Sequence, residues 1–217
     1  MPSILYEDNH LIVVEKPVGI SSQTVEKGDC LPYRLEQQGY RVKPVHRLDK
    51  PTGGVMTYAL TDASAAKLSA LVGQHDHFQK EYLAVVQGCP ESAQGTFTDL
   101  LYHDVRRNKS FVVNRPRKGV REAVLDYRVL ETISGESGIL SLISIRLHTG
   151  RTHQIRVQFA SRKMPLFGDG RYGGTKGSSL GLWSHKLTFP HPINGQIIST
   201  VSEPDWTTAP WCFFKKA

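Results

Sequence analysis

Residues 46–54 read His-Arg-Leu-Asp-Lys-Pro-Thr-Gly-Gly and set the Asp49 carboxylate two positions from the Arg47 guanidinium. Residues two apart share one side of an extended chain, so an acid and a guanidinium would face the same region. A carboxylate can serve as a nucleophile or stabilise positive charge at carbon. A guanidinium can bind phosphate or stack on a base, which lysine does less well. A loop aspartate taken alone is more often a turn or cap residue, and a lone arginine a structural ion-pair partner. Two later segments add chemistry. Lys80-Glu81-Tyr82 heads a strand-like run and brings a phenol and an ammonium, while residues 149–156, Thr-Gly-Arg-Thr-His-Gln-Ile-Arg, lead from a strand into a helix. If Thr152 caps that helix, Arg156 falls in its first turn, where the helix dipole disfavours a cation. A neighbouring anion would resolve the conflict.

The elements that must position these groups are mostly short strands. Runs at 11–15, 55–59, 82–87, 124–130, 139–147 and 196–201 read as strands. Pro44 and Pro51 bracket the His-Arg-Leu-Asp tetrad and Gly53-Gly54 follow it, so Asp49 is expected on a loop that feeds the strand at 55–59. The clearest helix is 62–72, with Thr61 as N-cap, an alanine-rich body and Gly73 at the stop. A second is expected over about 154–162, with Ile155 and Phe159, four apart, in the core. Many strands and few helices without βαβ alternation indicate an α+β fold with a mixed, largely antiparallel sheet. No internal repeat or linker stands out, and residues 1–217 read as a single domain.

Five segments in order, residues 4–8 with 13–19, residues 46–54, Lys80-Glu81-Tyr82, residues 149–156, and residues 184–187 with His191-Pro192, resemble the RluA-type RNA pseudouridine synthases. The resemblance covers nearly the whole chain and is to a short form without an N-terminal S4-like domain. It implies a catalytic domain with a central mixed, largely antiparallel sheet, flanking helices and an RNA-binding cleft. The implied reaction isomerises uridine in ribosomal or transfer RNA to pseudouridine, with the target base flipped into the cleft. It needs no cofactor and no metal. By position, Asp49 is the implied catalytic carboxylate, Arg156 its paired arginine and Tyr82 the tyrosine that stacks on the base. Asp49 could attack C1′, attack the base, or assist loss of uracil to a glycal. Such a pair would keep Asp49 ionised at neutral pH. Arg47 is implied to contact RNA, and His46, Lys80, Arg151, His153 and Gln154 to line or support the cleft. Gly53 departs from the family, which usually has serine there. A catalytically silent RNA-binding protein of the same fold is the alternative.

The net charge of +7 and pI near 9.4 suit a polyanionic partner. Arg106, Arg107, Lys109, Arg115, Arg117, Lys118 and Arg121 supply that whole excess in one stretch without an acid, which is expected to form a hairpin or long loop. Arg115, Arg117 and Lys118 are candidate RNA contacts; a solvated surface hairpin is the plainer reading. Three cysteines without paired spacing, no signal-like start and no apolar run of about 20 residues suggest a cytoplasmic protein with no membrane span. No obligate protein partner is evident, and a monomer is expected. Family-like sequence begins so near Met1 that no further RNA-binding module is expected ahead of it.

Two familiar patterns are set aside. Residues 168–173 match G-x-G-x-x-G but follow a helix and Pro165, so they read as a turn-rich loop. Residues 177–181 match G-x-S-x-G, but no histidine follows a later acid as that hydrolase fold requires. His75-Asp76-His77 lacks a third metal ligand and reads as a solvated helix end.

Overall fold

The computed structural model describes residues 2–26, 28–74, 76–135 and 138–215. The chain forms two compact units, one from residues 1–81 and 183–204, the other from 82–182 and 205–217. His75 lies outside the described residues.

The first unit holds β1 (Ser3–Glu7), β2 (Leu11–Lys16), α1 (Leu31–Glu36), β3 (Lys43–Pro44), β4 (Gly53–Ala59) and α2 (Asp62–Val72). The opening of β5 (Gln79–Gln87) belongs to it as well, and the chain returns to it through β10 (Leu182–Pro190) and β11 (Ile197–Val201). Strands β1, β2, β4 and β10 lie side by side in that order, with β11 on β10 and β3 on β4. Their pairings are antiparallel except β10 with β4, which run parallel through Trp183–Gly53 and Ser184–Gly54. Helix α2 forms as its sequence dictates. Thr61 accepts from the Ser64 N–H while Ser64 Oγ accepts from the Thr61 N–H, a reciprocal cap. Its Leu68 is fully buried with Leu11, Val13, Val55, Phe78, Leu187 and Phe189, a burial worth about 2 kcal/mol for one leucine. Phe78 and Phe189 stack at 4.9 Å.

The second unit holds the rest of β5, then β6 (Gln94–Asp104), β7 (Lys109–Val113), β8 (Val120–Gly135), β9 (Gly138–Leu147) and α3 (Gln154–Ser161). The strand order is β5-β9-β8-β6-β7, and the β6–β7, β6–β8 and β8–β9 pairings are all antiparallel. Phe97, Tyr127 and Phe159 pack ring to ring at 4.6 to 6.1 Å and seat α3 on the sheet. Ile155 and Phe159 are buried as expected. The α+β class with a largely antiparallel, mixed strand arrangement is thus borne out.

Gly53 has a physical reason in this chain. A Cβ at that position would overlap the Trp183 ring on the neighbouring strand. The indole is held in place, since it is 9% exposed and its Nε1 donates to Ser202 Oγ at 3.1 Å. Gly54 is constrained twice, by φ +110 and by the Ser184 backbone that a side chain would strike. Gly53→Ser is therefore expected to cost about 1–3 kcal/mol as an overpacked site. A urea unfolding curve checks this, and an unshifted midpoint would show that the indole simply moves aside.

Candidate active site

In the first unit, Asp49 sits half-buried on the loop between β3 and β4, where the expectation put it. Its carbonyl accepts from the Thr52 N–H at 3.0 Å, closing a turn through Lys50 and Pro51. The preceding residue is held by a side chain. Ser22 Oγ accepts from the Leu48 N–H at 3.1 Å and donates to the Leu48 carbonyl at 2.9 Å, and the Tyr58 hydroxyl donates to the Ser22 carbonyl at 2.6 Å. Ser22 and Tyr58 are both buried.

Beneath this loop lies Lys16, wholly buried at the end of β2. Its ammonium donates to the carbonyls of Pro17 at 2.8 Å, Ile20 at 2.9 Å and Lys50 at 3.2 Å, so all three of its protons are used. Burial lowers its pKa to about 8, and the Asp49 charge opposes that shift. A cation is thereby built into the floor of the aspartate loop. The sequence segment containing Lys16 had been matched by resemblance, but no role had been expected for it.

Of the other groups expected here, Arg47 is exposed. His46 Nε2 accepts from the Thr57 N–H at 3.0 Å, and its ring meets Phe78 edge-on at 5.5 Å. Lys80 is 5% exposed, with Nζ 5.6 Å from the centre of the Phe78 ring, and burial lowers its pKa to about 8. Among these three, only Arg47 presents its charge to solvent. Burial first, and the Lys80 charge second, depress the His46 pKa to about 3. The ring is therefore neutral at pH 7, protonated on Nδ1.

This carries a pH dependence. The folded-state value of about 3 lies below the ordinary value of 6.5, so the unfolded chain binds the extra proton between them. The stability contributed by neutral His46 is complete above about pH 6.5 and is lost as pH falls toward 3. His46→Gln, which keeps an acceptor for Thr57, is expected to flatten the loss of thermal stability across this range. An unchanged acid slope would remove His46 as its source.

In the second unit, Tyr82 is 7% exposed on β5. Helix α3 begins at Gln154, and its N-cap is His153 in the left-handed region at φ 56, without a side-chain cap bond. The expectation of a Thr152 cap is corrected by this. The Gln154 side chain does the tying instead: Oε1 accepts from the Arg151 N–H at 3.0 Å and from Thr149 Oγ1 at 2.7 Å, and Nε2 donates to the Val124 carbonyl at 3.1 Å. Gln154 is 3% exposed, so its amide shapes the turn before the helix. Arg151 is exposed and its Nε donates to the Glu122 carbonyl at 2.8 Å.

Arg156 is third in the helix, as the dipole argument required, and an anion does meet it. Its Nε donates to Asp169 Oδ2 at 2.7 Å and its Nη2 to Asp169 Oδ1 at 2.8 Å, a two-pronged pair. The side chains are 7% and 0% exposed. The guanidinium also stands 5.2 Å from the centre of the Tyr172 ring. Asp169 and Tyr172 had been passed over within the glycine-rich stretch 168–173. That stretch is a loop of turns, as expected, yet it supplies a carboxylate partner for Arg156. The available signal was an aspartate flanked by glycines, downstream of a helix that opens with a cation.

The basic stretch runs from the β6–β7 turn through β7 and the β7–β8 connection into the start of β8. Arg115, Arg117 and Lys118 are exposed in the latter, and the Arg117 guanidinium lies 4.8 Å from the Tyr102 ring centre. No helix is long and apolar enough to cross a membrane, and no cluster of three metal-ligating side chains occurs among the described residues.

Comparison with known proteins agrees in sequence and in fold. A sequence model of RNA pseudouridylate synthase matches residues 10–161, a stretch that runs through both units. A Bacillus subtilis protein named as an uncharacterized RNA pseudouridine synthase, YhcT, is 33% identical over 90% of this chain and 66% of its own length. The chain thus spans about two thirds of that relative, and 64% of a similar Synechocystis protein. The dual-specificity RNA pseudouridine synthase RluA of Escherichia coli is 30% identical over 94% of this chain and 93% of its own. In structure, human RNA Pseudouridylate Synthase Domain Containing 1 superposes with a TM-score of 0.78 at 21% identity, covering 97% of this chain and 86% of that one, which speaks to the fold alone. With the family's segments present in order, a family match over residues 10–161, and relatives of 30% identity or more that cover at least 90% of this chain, the chain belongs to the RNA pseudouridylate synthase family.

Proposed function

We propose that this protein is an isomerase that converts uridine in ribosomal or transfer RNA to pseudouridine. The reaction breaks the bond from uracil N1 to ribose C1′, turns the base and joins C5 to C1′; C5 releases a proton to water and N1 gains one. Nothing is added or lost overall, so the work falls to a carboxylate that can act on the freed sugar or base. Asp49 is assigned that role. The observation that carries the reading is its setting: a half-buried carboxylate on a turn whose backbone is gripped by Lys16 and Ser22, two residues from an exposed arginine. A braced turn keeps the reactive group in place at no cost during the reaction.

Tyr82 is assigned to the face of the target base and Arg156 to the charge balance of the reaction. Arg47 and Arg151, both exposed, are assigned to RNA, as are Arg115, Arg117 and Lys118. His46, Lys80, His153 and Gln154 support these groups from within. Residues 1–217 are taken to act as one catalytic domain, working as a monomer in the cytoplasm.

The test is direct. Unmodified ribosomal and transfer RNA are incubated with the protein, digested to nucleosides and separated. Pseudouridine in the treated RNA alone supports the reading; its absence from both RNA classes overturns it. Replacing Arg115, Arg117 and Lys118 by glutamine is expected to weaken RNA binding. It should also reduce the slope of log affinity against log salt by about 2–3, since each phosphate contact contributes about 0.7–0.9. An unchanged slope would take the β7–β8 connection out of the interface.

A further inference from the structure

One polar cluster in the second unit joins the basic hairpin to the arginine of α3. At the β6–β7 turn, Arg171 Nη1 donates to the carbonyls of Arg107 at 3.1 Å and Asn108 at 2.8 Å, which holds the turn where Asn108 is left-handed at φ 45. The next residue, Lys109, has its ammonium 5.2 Å from the Tyr172 ring centre and 5.8 Å from that of Phe111. Ser110, 1% exposed, donates its N–H to the Tyr172 hydroxyl at 2.8 Å. Its own hydroxyl donates to the Thr152 carbonyl at 2.6 Å, and His103 Nδ1 lies 3.1 Å from it.

The Tyr172 hydroxyl, having accepted from Ser110, also shares a hydrogen bond with His153 Nδ1 at 2.9 Å. Tyr172 is half-buried, and one partner would satisfy a tyrosine hydroxyl. Tyr172 has two, one on β7 and one at the residue that opens α3, and its ring is shared by two cations, Lys109 and Arg156. Two like charges on one ring oppose each other, so a phosphate that neutralises Lys109 alters the field at Arg156.

We infer that Tyr172 is a positioning residue that couples RNA contact at Lys109 of the basic hairpin to the setting of Arg156. This rests on the reading of the chain as a pseudouridine synthase. The hairpin then does more than add affinity: its engagement on RNA tunes the step in which Arg156 takes part.

A double-mutant cycle tests this. Single-turnover rates at saturating RNA, and RNA affinities, are measured for the wild type, Lys109→Met, Tyr172→Leu and the double variant. Lys109→Met is expected to slow the saturated rate about fivefold, at the lower end of typical coupling between sites. In the Tyr172→Leu background the same change should alter that rate less than about twofold, while still weakening binding. Equal factors in both backgrounds, or an effect on affinity alone, would overturn the coupling.

Should Tyr172→Leu fail to fold, the Arg156 side-chain Nε–H resonance decides the matter. A shift on saturation with RNA in the wild type that is lost in Lys109→Met supports the inference, and an identical shift in both sinks it. An inactive wild type would instead count against the proposed activity. The resonance experiment remains informative in that case, so the two failures are distinguishable.

Discussion

Asp49→Ala is expected to lower the single-turnover rate of pseudouridine formation by at least about a thousandfold, because in the proposed reaction this carboxylate acts on the reacting atoms and its loss removes the chemistry itself. The fold should survive. The turn is held through backbone groups: the Asp49 carbonyl accepts from Thr52, Lys16 binds the Lys50 carbonyl, and Ser22 binds the backbone of Leu48. RNA affinity should fall little, since a carboxylate repels phosphate. One side effect is foreseen: Lys16 loses the anion that opposes its desolvation, so its pKa should drop further. Retention of near-wild-type turnover by Asp49→Ala, measured on RNA the wild type modifies, would remove this residue from the chemistry.

The second large effect concerns stability. Asp169→Ala removes two charged hydrogen bonds at once from the Arg156 guanidinium, whose side chain is 7% exposed. Breaking one side of a buried ion pair costs about 3–5 kcal/mol, against a total stability of about 5–15 kcal/mol for a typical domain. Asp169→Asn should cost less, because one carbonyl oxygen still accepts from the guanidinium. Urea unfolding of the two variants checks the order. Equal midpoints for wild type and Asp169→Ala would mean that Arg156 finds another anion. Activity should fall with Asp169→Asn as well, since the arginine would no longer be held at both nitrogens.

What the sequence made legible, and what it did not, follows from how local each signal is. Helix α2 was readable residue for residue because the alanines lie within it and Thr61 and Gly73 directly flank it. Strands β2, β4, β5 and β9 announced themselves by apolar content, with ends displaced by a few residues. Strand β10 was not read as one. Its Ser184, His185 and Lys186 look like loop residues, and Ser184 is tolerated inside only because its hydroxyl donates to the distant Val55 carbonyl. Strand β6 was hidden similarly by its exposed Gln94, Thr96 and Thr98, whereas β7 lies in the basic stretch that was expected to form a hairpin or long loop.

The site shows the same division. Asp49, Tyr82 and Arg156 were picked out by residue type and resemblance. Lys16 was not assigned a role, since a lysine ending an apolar strand looks exposed until three carbonyls converge on it. Asp169 was missed because its partner lies 13 residues upstream, a spacing that no helix or strand period connects. The absence of serine at position 53 became intelligible only beside Trp183.

Isomerisation of uridine in RNA by this chain would release hydrogen from uracil C5, and that release can be followed. Unmodified RNA labelled with tritium at that carbon would be mixed with the wild-type protein, and tritium in water followed over time. Release that is catalytic in the protein and matched mole for mole by pseudouridine in the RNA is the predicted result. Salt-sensitive RNA binding with no tritium released from ribosomal or transfer RNA would contradict it, and would make the protein a silent RNA binder on a catalytic fold.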